Sequence, residues 1–187
     1  MSLLQTPSSS QDPGQAPPSQ DFDQLYETYA PLVAGWIARL LGPHAEIEDL
    51  VHDIFLVAYR RQREFRGEAS PKTWLFGITE NLVANRRKRD RVRHWLFDRF
   101  SKDSRALQAP SVEPIEGMVR RERITRLYRA LDKLPGIYRT AVILFEIDGV
   151  PGHEIAELMG IDVDTLWVRL HRGRAKLLTL MQKEGLP

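Results

Sequence analysis

The sequence predicts an all-α fold: two small helical domains joined by a flexible linker, the C-terminal one containing a helix-turn-helix. Three observations carry this. From Phe22 onward apolar residues recur every three or four positions, the spacing of one helix face. No segment alternates with period two over a useful length, so no strand is expected. Between His94 and Gly117 the periodicity gives way to Pro110, Pro114 and several Ser and Asp residues, the composition of a connecting segment.

Residues 1–20 contain thirteen Ser, Pro or Gln and no apolar pattern, and are expected to form a disordered tail. The first domain is expected over 21–94. Its first helix carries Phe22, Leu25, Tyr26 and Tyr29. Pro31 is expected to open a second helix at the position where its missing N–H is harmless. That helix bears Leu32, Val33, Trp36, Ile37 and Leu40, and Gly42-Pro43 ends it. A third runs from about Glu46 to Arg63, with Ile47, Leu50, Ile54, Val57 and Ala58 on one face. The loop Phe65-Arg66-Gly67-Glu68-Ala69-Ser70-Pro71 follows, and a fourth helix turns Trp74, Leu75, Ile78 and Leu82 inward before ending in a basic run. The linker spans 95–116, where Trp95, Leu96, Phe97 and Phe100 are able to prolong that helix.

The second domain, 117–187, opens with a helix marked by Ile124, Leu127, Tyr128 and Leu131 and ended near Leu134-Pro135. Another runs from Tyr138 to Ile147, and two more cover about 151–159 and 164–181. This last pair has helix-turn-helix grammar. Ala156 is small where helices cross, Gly160 permits the turn, Ile161 plugs the corner, and Asp162 is placed to cap the second helix. Leu166, Leu170, Gly173, Leu177 and Met181 form the inner stripe. Trp167, Val168, His171 and Arg172 are expected opposite it, flanked by Arg169, Arg174 and Lys176, a face suited to the major groove. Domains of about 75 residues bury only ~60% of their unfolded surface, so partners are expected to supply part of their order.

Composition excludes several chemistries. There is no cysteine, which removes disulfides, thiolate zinc sites, iron–sulfur clusters and cysteine nucleophiles. No apolar run approaches ~18 residues and no basic segment precedes an apolar core, so neither membrane insertion nor secretion is expected. His153-Glu154 lacks the second histidine of a zincin motif; neither metal nor cofactor is expected. A cytoplasmic chain with no catalytic residues is the resulting expectation.

Net charge is only +2, but its distribution is uneven. Residues 21–59 carry seven acidic side chains against Arg39 alone, residues 60–105 fourteen basic and six acidic ones, and Arg86–Arg93 six cations in eight positions. A chain so divided suits a protein surface at one place and a phosphate backbone at another. Within the acidic part, Phe55, Leu56 and Tyr59 are expected to point outward beside Asp49 and Asp53, an acidic and aromatic docking face. Phe65 to Ser70, with Trp74, Asn81 and the cations Arg86, Arg87, Lys88 and Arg89, offer what unstacked bases need: stacking surface and a cationic track. Trp74 also fits the core.

Asp49-Leu50-Val51-His52-Asp53-Ile54-Phe55-Leu56, Phe65-Arg66-Gly67-Glu68-Ala69 and Thr73-Trp74-Leu75 together resemble region 2 of an extracytoplasmic-function (ECF) sigma factor of bacterial RNA polymerase, in the sigma-70 superfamily. Leu134-Pro135, Glu154-Ile155-Ala156, Gly160-Ile161 and Arg169-Leu170-His171-Arg172-Gly173-Arg174 resemble region 4 of the same family. The resemblance covers about 21–94 and 117–182. It implies that Asp49, Asp53, Phe55 and Leu56 dock on core polymerase. It further implies that Phe65, Arg66, Gly67, Glu68, Ala69, Ser70, Trp74, Asn81, Arg86, Arg87, Lys88 and Arg89 open and read a single-stranded −10 element. Trp167, Val168, Arg169, His171, Arg172 and Arg174 would read the duplex −35 element, and an anti-sigma protein would hold the chain in check.

Two departures stand out. Pro151-Gly152-His153 replaces the family's usual Ser before the first helix of the motif, with Pro151 expected at N1. Trp167-Val168 replaces a basic residue followed by Ser, so Trp167 is expected to find cover on a second surface when off DNA: region 2, the aromatic linker or a partner. The alternative function is a helix-turn-helix regulator that binds duplex DNA without polymerase, which leaves the acidic docking helix unused. A nuclease would need an acidic metal-binding cluster beside the basic run, and none is present.

Overall fold

The computed structural model describes residues 19–42, 46–100 and 115–186. Most of the expected tail, residues 1–18, and residues 101–114 of the expected linker lie outside the described residues, as does Pro43. The described chain is all-α: α1 (Ser19–Leu41), α2 (Ile47–Arg61) with a 3₁₀ turn at Gln62–Glu64, α3 (Pro71–Phe100), α4 (Ile115–Asp132), α5 (Gly136–Val142), α6 (Gly152–Met159) and α7 (Val163–Lys183).

Helices α1 to α3 form a three-helix bundle. Val33, Trp36, Ile37 and Leu40 of α1 meet Leu50, Ile54, Phe55 and Ala58 of α2 and Leu75, Phe76, Ile78 and Val83 of α3, all buried. Trp36 and Phe76 pack edge to face at 5.0 Å, the arrangement aromatic quadrupoles favour. The expected break at Pro31 does not occur: α1 runs through it. Interior proline costs about 3 kcal/mol through a lost hydrogen bond and a ring clash. Here Pro31 is on the exposed side of α1, as is Glu27 four residues before it, and the buried stripe continues beneath them. Gly42, at φ 84°, ends α1 in the left-handed region that only glycine enters without strain. Helix α3 starts on a cap: Ser70 Oγ accepts the Thr73 N–H at 3.1 Å, with Pro71 in the first helical position. It continues through the basic run and the backbone of Trp95–Phe100.

In the C-terminal half α5 is surrounded. Four successive residues, Ala141 to Leu144, are buried, which no single helix face allows. The helix widens there into a π turn, Ile143–Ile147, where the Asp148 N–H bonds the Ile143 carbonyl at 3.1 Å. Helices α4, α6 and α7 complete this half. Gly160 (φ 60°) makes the turn between α6 and α7. Two caps differ from expectation. Pro151 is the residue before α6 rather than its first, its carbonyl accepting the Ile155 N–H at 3.1 Å. Asp162 stands at the N-cap of α7 but its side chain makes no cap bond.

The halves share one hydrophobic core. Helix α3 lies against α6, and the end of α1 against the π turn. Arg39 pairs with Asp148, the Tyr128 hydroxyl donates to the Arg39 carbonyl at 2.9 Å, and Thr140 Oγ1 donates to Glu80 Oε1 at 2.7 Å. The order expected from outside partners is thus supplied in part by the chain itself. Among the described residues no helix is long and apolar enough to cross a membrane.

Candidate nucleic-acid and protein-binding surfaces

The acidic segment forms a face on α1 and α2. Asp49 and Asp53 are exposed, and Leu56 and Tyr59 are 39% and 51% exposed. Phe55 corrects the expected set. It is buried, edge-on to Tyr26 at 4.7 Å and to Phe22 at 6.3 Å. The buried residues of α2 are Leu50, Val51, Ile54, Phe55 and Ala58, a stripe wide enough to touch both neighbouring helices and rotated from the one expected. Phe55 therefore sits beneath the face and supports it, and Tyr26, absent from the expected set, joins the surface at 42% exposure. Its signal was its place one turn after Phe22, on the edge of an aromatic cluster.

The loop before α3 and the start of α3 form an open cavity of about 380 Å³, lined by Glu64, Phe65, Arg66, Glu68, Ala69 and Trp74. The Phe65 and Trp74 rings lie 4.9 Å apart and tilted by 37°, giving the cavity an aromatic wall. Trp74 is half-buried: it belongs to the core on one side and to the cavity on the other. Gly67 shapes the loop at φ 72° and Ser70 fastens it to the helix. Farther along α3 the expected cationic track divides. Lys88 and Arg89 are exposed. Arg86 donates to Glu46 at 2.9 Å and to Asp90 at 3.2 Å, and its pKa is raised, first by the Glu46 bond. Arg87 donates to Asp132 Oδ1 at 2.9 Å. Asn81, although exposed, bonds back to the Gly77 carbonyl at 2.9 Å.

Helices α6 and α7 present the third surface. Leu166, Leu170 and Gly173 are buried as expected. A Cβ at Gly173 would lie 2.8 Å from Val142 Cγ2 and 3.3 Å from Tyr138 Cβ, so glycine allows α5 and α7 to approach. Val168, His171 and Arg172 face outward, Arg169 is half-buried, and Val168 is 48% exposed. Trp167 lies on the flank of α7 rather than opposite the stripe. It meets Phe145 edge-on at 5.4 Å, and a Cβ at Gly152 would come within 3.0 Å of its ring. Its cover therefore comes from its own half, and it stays 44% exposed. Arg174 shares that flank: its guanidinium lies 5.3 Å from the Phe145 ring centre and Nε donates to Glu146 at 2.5 Å. Among the described residues no group of acidic and histidine side chains is placed to hold a metal ion.

An aromatic cavity beside a basic helix, a helix-turn-helix and an acidic aromatic face occur on one chain, and both halves of that chain match known families. The Sigma-70 region 2 family model matches residues 25–93, and the Sigma-70, region 4 model matches 124–177. The ECF RNA polymerase sigma-E factor of Escherichia coli K12 is 30% identical over 168 residues, 82% of either chain. The ECF sigma factor SigE of Mycolicibacterium smegmatis is 30% identical over 166 residues, 88% of this chain, which spans 63% of that protein's length. Among solved structures, the sigma factor RpoE of Bartonella quintana, in complex with the anti-sigma factor NepR, aligns with a TM-score of 0.54 at 24% identity, over 87% of this chain and 98% of that one.

Proposed function

The chain belongs to the ECF sigma factors of RNA polymerase, and on that premise we propose how its three surfaces divide the work of promoter recognition. Its partners are core polymerase and promoter DNA, and it works in the cytoplasm, where polymerase is. The chain lends specificity; polymerase performs the chemistry.

The face of Asp49, Asp53, Leu56, Tyr26 and Tyr59 docks on core polymerase. Its apolar centre and charged rim are the anatomy of a specific interface, and Phe55 keeps the rings in place from below. The cavity of Phe65, Arg66, Glu68, Ala69 and Trp74 receives a base of the −10 element. Unstacking a base costs a few kcal/mol, and base–aromatic stacking returns about 1–3 kcal/mol. Gly67 and Ser70 hold the loop that shapes the cavity. Asn81, Arg86, Arg87, Lys88 and Arg89 continue along α3 as the track for the strand. The −35 element is read by α7, with Val168, Arg169, His171 and Arg172 toward the groove and Trp167 and Arg174 bracing its flank on Phe145. Val168 suits a thymine methyl and Arg172 a guanine edge or phosphate. A regulator of the anti-sigma class is proposed as a further partner, by analogy with the Bartonella quintana complex.

The single observation that carries this reading is the pairing of the aromatic cavity and the helix-turn-helix on one chain whose matched segments follow region 2 then region 4. A regulator acting without polymerase needs only the second. Association of the labelled chain with purified core polymerase, followed by anisotropy, tests it. Saturable binding is expected; a chain that binds duplex DNA but never core polymerase would favour the regulator.

A further inference from the structure

Arg87 reaches across from α3 to the C-terminal half. It donates Nε to Asp132 Oδ1 at 2.9 Å and Nη2 to the Asp132 carbonyl at 3.2 Å, and its side chain is only 12% exposed. One turn on, Arg91 points its Nη1 at the same carbonyl, at 3.4 Å. From the other side Arg139, almost wholly buried, approaches Asp132 Oδ1 at 3.2 Å, with Nε and Nη2 making no hydrogen bond. Three guanidinium groups thus converge on one carboxylate and one carbonyl.

A carboxylate oxygen and a carbonyl stand where a phosphate group could be held. Arginine forks match carboxylate and phosphate oxygens alike. Burial, with repulsion from Arg91 for Arg87 and from Arg87 for Arg139, lowers the pKa of both despite the attraction of Asp132.

Closure is incompatible with a promoter. Thr73, at the start of α3, lies 3.4 Å from the Glu157 carbonyl of α6, and Lys72 lies 3.9 Å from Glu154. The −10 and −35 elements are roughly 25 base pairs apart by their names, on the order of 80 Å of duplex at ~3.4 Å per pair. The halves cannot read both while in contact.

We propose that Arg87 and Arg91 form a backbone-phosphate site that Asp132 occupies in the closed chain, so that closure and promoter binding exclude each other and Asp132 is the latch. The proposal rests on the assignment of α3 to the −10 side of the promoter. It adds Arg91 and Asp132 to the residues that matter there, and makes Arg87 shared between two ligands.

The absence of cysteine allows dyes at Gln24→Cys and Gln182→Cys, both exposed positions, to report the distance between halves by energy transfer. Unlabelled protein is titrated into a fluorescein-labelled random-sequence 30-mer single strand over a range of NaCl, since backbone contacts are independent of sequence. Asp132→Asn is expected to lower energy transfer and tighten DNA binding at least about fivefold. Its log K against log salt should steepen by about 1.4, two phosphates at ~0.7 each. Adding Arg87→Gln and Arg91→Gln should leave the chain open and return the slope to that of the parent. A variant that stays closed, or opens without a change of slope, overturns the proposal. If Asp132→Asn fails to fold, Arg87→Gln takes its place, since it leaves the Asp132–Arg139 pair intact; it should open the chain, and a closed Arg87→Gln protein overturns the latch. Polymerase takes no part in these readings, so a failure to bind core polymerase would strike the functional reading alone.

Discussion

Asp53 is exposed on α2 within a turn of Leu56, and its charge is the part of the proposed docking face least needed by the fold. Asp53→Arg should abolish binding to core polymerase, because reversing a charge desolvated at an interface costs a few kcal/mol, while helical circular dichroism stays unchanged. Unaltered affinity would remove Asp53 from the interface. Arg139 makes the opposite kind of statement. Burial, then repulsion from Arg87, pulls its pKa down to about 10 against the opposing attraction of Asp132. A cation whose folded pKa lies below its unfolded value penalises folding at every pH below about 10, and the penalty fades only as the pH rises above that. Neutral-pH measurements therefore see all of it. Arg139→Met removes the buried charge and leaves Asp132 its bond to Arg87. Removing one partner destabilises when it strands a buried charge, but Asp132 is 42% exposed and keeps its bond to Arg87, so the urea midpoint at pH 7 should hold or rise. A fall worth more than about 2 kcal/mol would mean that Arg139 organises the interface rather than straining it.

At the scale of elements, periodicity located every helix of the described chain, and the differences have local causes. Pro31 is a helix breaker by propensity, but on an exposed side the stripe of Val33, Trp36, Ile37 and Leu40 outweighs it. A single-face stripe leaves Phe55 outside, whereas contact with two neighbouring helices buries a wider one. The π turn at Ile143–Ile147 left no mark beyond five consecutive apolar residues, Ala141 to Phe145. The cavity was legible as a set of residues, since Phe65 to Ala69 and Trp74 are close in sequence. The sequence offers Trp74 as core or as base contact, and its half-buried place beside Phe65 lets it serve both. If this loop reads the −10 element, exchanging Glu68-Ala69-Ser70 for a different loop that keeps a capping Ser should change which −10 sequences are used by about 1–3 kcal/mol per altered base contact and leave helicity alone. An unchanged preference among −10 variants in open-complex assays would assign the reading to another element.

For the whole molecule, the sequence divided the chain correctly into two helical halves but gave no sign that they pack together. The contacts responsible join residues far apart in sequence: Arg87 with Asp132, Thr140 with Glu80, Tyr128 with Arg39. None lies on a periodic pattern. They make the chain a single cored unit, whereas the proposed reading of two spaced promoter elements requires the halves apart. The central claim is that this chain directs polymerase to promoters, and run-off transcription on a library of promoter fragments tests it most directly. Core polymerase with the chain should yield discrete transcripts whose templates share two spaced elements, and core polymerase alone should yield none of them. An identical set of transcripts with and without the chain would contradict the account.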